Sequence, residues 1–294
     1  MNDLEQQISV LPTSFWGRAI FKFAPYKRQV IMANIDRVYG ERLSLTLKNH
    51  LVKSYYSHLL KSFKEALQLR FMSEEKLRQL VEVRGHEHML SVVAQKKGVL
   101  TLTGHFGNWE VAPIGGVLNF KEFQGQFHFI RRTLSIKLIE RSLFKQYYQA
   151  GLNVIPKKNS LDKVCAALEQ NHAVIFVLDQ HASLANRDGI AVEFFGEKAG
   201  TYRSLATLSR YTGVPVIPAA GYRLPNGKHV LEFYEPIPWK DYGSTAESLY
   251  QNTLAYNQAL ERIILAHPEQ WNWMHKRWKL KKHQLAAANN QPAL

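Results

Sequence analysis

Residues 98–110 read Gly98-Val99-Leu100-Thr101-Leu102-Thr103-Gly104-His105-Phe106-Gly107-Asn108-Trp109-Glu110. The run Val99–Thr103 is short, apolar and β-branched, the signature of a buried strand. Gly104 to Asn108 reads as a turn, and a helix starts near Trp109. The unit is therefore strand, turn, helix. His105 falls at the end of the buried strand, and Glu110 lies five residues on, in the first turn of the helix. In an open α/β sheet, ligands bind outside the carboxyl ends of the strands. Both side chains stand where such a site would form.

The same alternation continues toward the C-terminus. Strands are expected at Phe127–Ile130, Val154–Ile155, Ala173–Leu178 and Val214–Pro218, with helices over 136–150, 160–170, 201–212 and 244–266. Tyr222–Leu224 and Val230–Tyr234 flank Pro225-Asn226-Gly227-Lys228, a hairpin turn. Strands alternating with helices predict an α/β fold, with a mixed, mainly parallel sheet flanked by helices. On the N-terminal side, residues 44–71 read as a long helix with Leu47, Leu51, Tyr55, Leu59, Phe63 and Leu67 four apart, most of them core. Residues 1–27 carry Phe15, Trp16, Phe21, Phe23 and Tyr26 among Arg18, Lys22 and Lys27. That composition suits an amphipathic segment in a lipid interface; the alternative is a helix packed on the core. The expected division is an interface segment at 1–27 forming an N-terminal helical extension, a catalytic domain at 28–282 and a disordered tail at 283–294.

Composition narrows the class. Of 294 residues, 46% are hydrophobic and 21% charged, which excludes a disordered or collagen-like chain. The one cysteine, Cys165, excludes a disulfide framework and a four-cysteine zinc site, fits a reducing compartment, and sits in a helical pattern as core. Lys and Arg number 38 against 24 Asp and Glu, a net charge of +14. Such a surplus implies an anionic partner: nucleic acid, an acidic membrane face or an acidic carrier protein. No charge-free run approaches the roughly 18–20 apolar residues that a membrane span needs. Asp3 and Glu5 stand where a signal peptide would be basic. The protein is expected on the cytoplasmic side, held to a membrane peripherally. The basic stretch Lys276, Arg277, Lys279, Lys281 and Lys282 suits anionic lipid or an acidic carrier.

The spacing of His105 and Glu110 suits a dyad. A carboxylate can accept from one imidazole nitrogen, fix the tautomer and stabilise the imidazolium, leaving the other nitrogen as general base. A helix N-terminus nearby disfavours the protonated ring. Gly104 and Gly107 would let backbone come close to a substrate. The plain alternative is a satisfied core histidine beside a surface glutamate. A metal site is a poorer fit, because His-x-x-x-x-Glu lacks the two histidines of the zinc helix. Asp179 and Gln180 follow a buried strand; they either face the crevice or form a turn.

Gly104–Glu110 resembles the His-x-x-x-x-Asp/Glu motif of the glycerolipid and lysophospholipid acyltransferases. Its His-Phe-Gly-Asn-Trp-Glu form resembles one branch, the late acyltransferases of lipid A biosynthesis. Other blocks are similar in the same order: Arg28–Leu43; Leu178-Asp179-Gln180; Val192–Gly196 with Ala199, Thr201 and Ala206; Thr212–Pro218; and Pro268–Trp273 followed by His275, Lys276, Arg277, Trp278 and Lys279. The resemblance spans roughly residues 28–280. It implies transfer of a fatty acyl chain from a thioester of acyl carrier protein or coenzyme A to a hydroxyl of a lipid acceptor, a lipid A precursor first among them. It implies no metal and no cofactor. His105 would deprotonate the hydroxyl and Glu110 would orient it, with Arg131, Asn108, Asp179 and Gln180 binding substrate. Arg131 aligns with the arginine of the family's Tyr-Arg-Pro-x-x-Asn-Pro block, whose proline and asparagine are missing here, and Arg132 stands beside it. The family's usual N-terminal membrane span is also missing. The place implied is peripheral, at the cytoplasmic face of the inner membrane. Another acyl acceptor (a lysophospholipid, a glycolipid or a pigment head group) is the nearer alternative. A basic nucleic-acid-binding protein is the more distant one, and no nucleic-acid motif supports it.

Overall fold

The computed structural model describes residues 2–120, 123–131, 145–185, 188–281 and 283–284. The sheet strands are β1 (Val81–Arg84), β2 (Val99–Thr103), β3 (Phe127–Arg131), β4 (Leu152–Pro156), β5 (Ala173–Val177), β8 (Val216–Arg223) and β9 (His229–Phe233). They form one seven-stranded sheet in the order β1-β9-β8-β2-β5-β3-β4. Every neighbouring pair is parallel except the β8–β9 hairpin. Central β2 buries Val99, Leu100, Thr101 and Leu102, as its apolar run requires. Two further strands, β6 (Gly189–Phe194) and β7 (Glu197–Tyr202), make a separate antiparallel hairpin. Helices cover the sheet: α6 (His86–Val93) packs on β2 and β9, α7 (Val111–Leu118) on β1, β8 and β9, α8 (Leu161–Glu169) on β5, and the long C-terminal helix Thr245–Ala266 on β8 and β6.

The β6–β7 hairpin is not expected from the sequence, because its second strand opens on Glu197-Lys198-Ala199-Gly200, four poor strand formers. It shortens the helix expected at 201–212, which begins at Ser204. The helix expected over 136–150 lies mostly in 132–144, outside the described residues. So does the tail expected at 283–294, apart from 283–284.

The N-terminal segment divides in two. Helix α1 (Asp3–Ser9) starts at a capping box on Asn2 and buries Ile8 completely, and Gln7 donates to the Leu265 carbonyl. It belongs to the core. Helix α2 (Phe15–Phe23) lies along α4 (Leu45–Leu69), with Gly17 pressed against Ser57 and Lys53. Phe21 is turned inward, 4.1 Å below the Arg28 guanidinium, so it leaves the expected set of lipid-facing aromatics. Phe15, Trp16 and Phe23 remain 68%, 67% and 77% exposed.

Within α4, Leu51 and Tyr55 are buried but Phe63 and Leu67 are exposed. Each step of four residues rotates about 40° round a helix of 3.6 residues per turn, so a strict four-residue stripe leaves the core within a few turns. The basic stretch needs a similar correction. Lys276, Lys279 and Lys281 are exposed, whereas Arg277 is fully buried, and Lys282 is outside the described residues. The Arg277 guanidinium donates to Thr201 Oγ1 at 2.7 Å and to the Gly200 carbonyl, over the Phe194 ring. No helix among the described residues is long and apolar enough to cross a membrane.

Candidate active site

The register of two strands builds the site. β2 and β5 pair in parallel with Thr103 opposite Val177. Two residues beyond each strand end stand His105 and Asp179, so the parallel register brings them together at the carboxyl edge. Asp179 Oδ1 accepts from His105 Nδ1 at 2.9 Å. Asp179 Oδ2 accepts from the His105 backbone N–H at 2.8 Å and from the Trp271 indole at 3.0 Å. Asp179 is fully buried. Burial alone pushes its carboxyl up, but the charges of His105 and His275 and the hydrogen bonds from His105 outweigh it and hold the group far below the ordinary range. The converse holds for His105. Burial depresses the imidazole, yet the Asp179 carboxylate and, at longer range, Glu110 leave its pKa above the ordinary value, against a lowering by Arg131.

The carboxylate that takes an imidazole N–H is therefore Asp179. Glu110 makes no hydrogen bond to His105. It occupies the N-cap position of α7 rather than the first turn, and accepts a very short hydrogen bond from the Tyr147 hydroxyl. Arg131 ends β3, with Nη1 3.9 Å from Glu110 Oε1 and its guanidinium over the Tyr147 ring. Burial raises the Glu110 carboxyl, with Tyr147, Arg131 and His105 opposing. Gln180 places Nε2 3.5 Å from His105 Nε2. Arg132 is outside the described residues.

Asn108 takes a different place. It is buried under the turn, where Oδ1 accepts from the N–H groups of Glu110 and Val111, both at 3.2 Å, and so caps α7. Its amide donates to the Ser62 carbonyl and to Glu65 Oε2 at 3.0 Å. Below lies an ionic cluster from α4 and β8. Arg223 pairs with Glu65, donates to Ser62 Oγ at 3.1 Å, and meets His58 Nδ1 at 2.9 Å. Burial and Arg223 push His58 down to about 3, so the ring is neutral: Nδ1 accepts from Arg223, and Nε2 donates to the Gly107 carbonyl at 3.1 Å. Glu65 is held at about 2; burial is outweighed by the His229 ring, whose Nε2 lies 3.2 Å from Oε2, and by hydrogen bonds from Arg223. Gly107 has φ +53°, and a Cβ there would meet the Gly221 carbonyl oxygen at 2.3 Å. The glycine thus serves a close approach to protein backbone rather than to substrate. The segment 270–272 braces the turn from the other side: Gly107 N–H donates to the Gln270 carbonyl and Asn272 N–H to that of His105. The Gln270 side chain in turn pairs with both the N–H and the carbonyl of Arg223.

A cavity of about 1070 Å³ opens at these residues. His105, Trp109, Glu110, Arg131 and Gln180 line its polar part, and Phe129, Val154, Val164, Cys165, Ile175 and Leu208 continue it as an apolar chamber. Cys165 is thus cavity wall rather than plain core. Ligand atoms of His105, Asp179 and His275 lie within 4.8 Å of one another. The three N–H donors on Asp179 already occupy its oxygens. His275 Nε2 lies 3.1 Å from Asn272 Nδ2, and the orientation of that amide is fixed by Tyr55 and the Met274 N–H donating to Oδ1. The cluster is a satisfied hydrogen-bond network, a poor donor set for a cation. His275, with its ring 4.7 Å from that of His105, and Trp271 are neighbours of the base that the motif spacing did not reveal.

A family model described as bacterial lipid A biosynthesis acyltransferase matches residues 7–280. Over 272 residues the chain is 23% identical to a lipid A biosynthesis lauroyltransferase of Escherichia coli (strain K12), covering 90% of this chain and 83% of that protein. Over 253 residues it is 21% identical to a phosphatidylinositol mannoside acyltransferase of Mycolicibacterium smegmatis, covering 83% and 77%. Among solved structures, the 1-acyl-sn-glycerophosphate acyltransferase of Thermotoga maritima matches 88% of this chain and 95% of its own, with 16% identity and a TM-score of 0.37.

The geometry sets a pH dependence. A base works deprotonated, and the Asp179 carboxylate raises the imidazole pKa. Asp179→Asn removes that charge, so the acid limb of the rate–pH profile moves to lower pH, with a reduced plateau because the amide oxygen keeps the two N–H donors of the Oδ2 side and its NH₂ faces Nδ1, which favours the ring protonated on Nε2. Glu110→Gln moves the limb the same way by less, because Glu110 acts on His105 only through space. An acid limb unmoved by Asp179→Asn contradicts the pairing.

Proposed function

The chain belongs to the bacterial lipid A biosynthesis acyltransferase family, and from that membership we propose that it moves a fatty acyl chain from a thioester to a hydroxyl of a lipid A precursor. One observation carries the chemistry: His105 has Nδ1 tied to a buried carboxylate and Nε2 at the mouth of an apolar chamber. In the proposed reaction, Nε2 accepts the acceptor's hydroxyl proton as the oxygen attacks the thioester carbonyl, and later passes it to the leaving sulfur. Asp179 fixes the tautomer and balances the imidazolium. Glu110 and Tyr147 hold Arg131 at the rim, where its guanidinium can bind a phosphate of the acceptor or of the donor's phosphopantetheine. Gln180 contacts the substrate. Asn108 supports the turn from below. The acyl chain lies in the apolar chamber. The donor is acyl carrier protein or coenzyme A, both acidic partners for a chain of charge +14. The reaction needs no metal or cofactor. The relatives that act on phosphatidylinositol mannosides favour, as a second reading, a sugar hydroxyl on another anionic glycolipid.

The working place proposed is the cytoplasmic face of the inner membrane, held peripherally. Phe15, Trp16 and Phe23 supply an apolar contact. The exposed Lys22, Lys27, Lys276, Lys279 and Lys281 attract anionic lipid, each contributing on the order of 1 kcal/mol near such a surface.

Two measurements test the proposal. His105→Ala lowers transfer from an acyl thioester by about 10²–10⁴-fold in folded, purified protein; a rate near wild type removes the mechanism. In vesicle co-sedimentation, salt weakens binding to anionic vesicles without abolishing it, because charge is screened over about 10 Å at 0.1 M while apolar burial is not. Replacing Phe15, Trp16 and Phe23 together by serine leaves binding that salt removes. Unchanged salt-resistant binding of that variant shows that α2 is not the contact.

A further inference from the structure

Transfer from a thioester passes through a tetrahedral intermediate whose former carbonyl oxygen carries a negative charge. A donor aimed at that oxygen commonly supplies the largest single stabilisation. The donors nearest the base are largely committed. The ring Nδ1–H and backbone N–H of His105 both go to Asp179, and Gly107 N–H goes to the Gln270 carbonyl. Arg131 faces Glu110, and Trp109 meets the His105 ring edge-on at 5.5 Å.

Gln180 differs from these. Its Nε2 lies 3.5 Å from His105 Nε2, the nitrogen that takes the proton. With Nδ1 protonated toward an ionised carboxylate, that nitrogen presents a lone pair, so the NH₂ end of the amide faces it. The backbone is fixed on both sides. Asp179 precedes it in full burial, and the buried Arg277 donates to the Gln180 carbonyl at 3.4 Å. The side chain extends from this anchor into the cavity.

We infer that Gln180 is a catalytic residue: in the acyl transfer proposed above, on which this inference rests, its amide N–H donates to the thioester carbonyl oxygen as it becomes an oxyanion. An acceptor hydroxyl bound to His105 Nε2 takes the place of the amide there and frees the N–H. The hydroxyl oxygen then bonds the carbonyl carbon, its proton passes to Nε2, and the carbonyl π pair moves onto oxygen, where Gln180 holds it. When the pair returns, the C–S bond breaks. Sulfur leaves with the bonding pair and takes the proton from Nε2, giving an ester and a free thiol. Gln180 neither gains nor loses a proton.

The test is steady-state transfer from a dodecanoyl thioester of acyl carrier protein or coenzyme A to a lipid A precursor. Gln180→Ala lowers kcat about 10²–10³-fold, with KM for the thioester and the melting temperature unchanged. Gln180→Glu matches the native side chain in size but offers a charged acceptor in place of a donor, so it loses at least as much. A kcat within threefold of wild type for Gln180→Ala, or a Gln180→Glu protein more active than Gln180→Ala, overturns the assignment, the second by showing that the side chain only fills space. His105→Ala run alongside separates the two levels. If it is inactive while Gln180→Ala is active, only the oxyanion role falls; if it is active, the His105 base falls as well; and a wild-type protein that transfers no acyl group from either thioester overturns the acyl-transfer reading itself.

Discussion

The carboxylate of Asp179 is the point on which the site depends. Among the described residues no cation of fixed charge is bonded to it, and it is satisfied by three N–H groups from two parts of the chain, His105 and Trp271. A buried carboxylate so placed stays ionised because its hydrogen bonds favour the charged form. That charge orients the imidazole, selects the tautomer with Nδ1–H, and leaves Nε2 with a lone pair able to accept a proton. The same carboxylate holds the backbone of the turn that carries His105, so orientation and basicity have one cause.

Below the turn, charge is again buried, and again in a network. Arg223, Glu65, His58, Ser62 and Asn108 form an interlocked set in which each charged group has several partners. Buried pairs of this kind add little net stability, yet losing one partner costs about 3–5 kcal/mol because the other is left uncompensated. Their effect here is geometric. They tie α4 and β8 to the Gly107–Asn108 backbone, and Gln270 ties the C-terminal segment to the same place. The turn is held from below, from the sheet and from segment 270–272, while the cavity side stays open. The resulting rigidity keeps Nε2 in position beside the chamber.

Much of this was legible in the sequence, and the limits have physical causes. The strand-turn-helix that begins at 98–110, the β8–β9 hairpin at Asn226-Gly227 and the mainly parallel sheet follow from local pattern and turn chemistry. His105 at a strand end follows from the same reading. Its partner does not. Asp179 is 74 residues away and becomes a neighbour only through the β2–β5 register, which local spacing does not encode; Glu110 is closer along the chain but turns toward Tyr147 and Arg131. Asn108 looked like a substrate ligand because it is polar and lies within the motif, yet its amide is spent on a helix cap and on Glu65. Arg277 looked like part of a solvated basic tail, because nothing in Lys276-Arg277-Trp278-Lys279 tells that the β6–β7 hairpin encloses it. In each case the missing information was a contact between distant segments.

The most direct test of the Asp179–His105 pairing is the side-chain nitrogen NMR of His105, followed against pH in the wild type, in Asp179→Asn and in Glu110→Gln. The account predicts a neutral ring protonated on Nδ1 in the wild type and in Glu110→Gln, with that preference and the raised pKa lost in Asp179→Asn. A ring whose tautomer and titration survive Asp179→Asn but change in Glu110→Gln would contradict it.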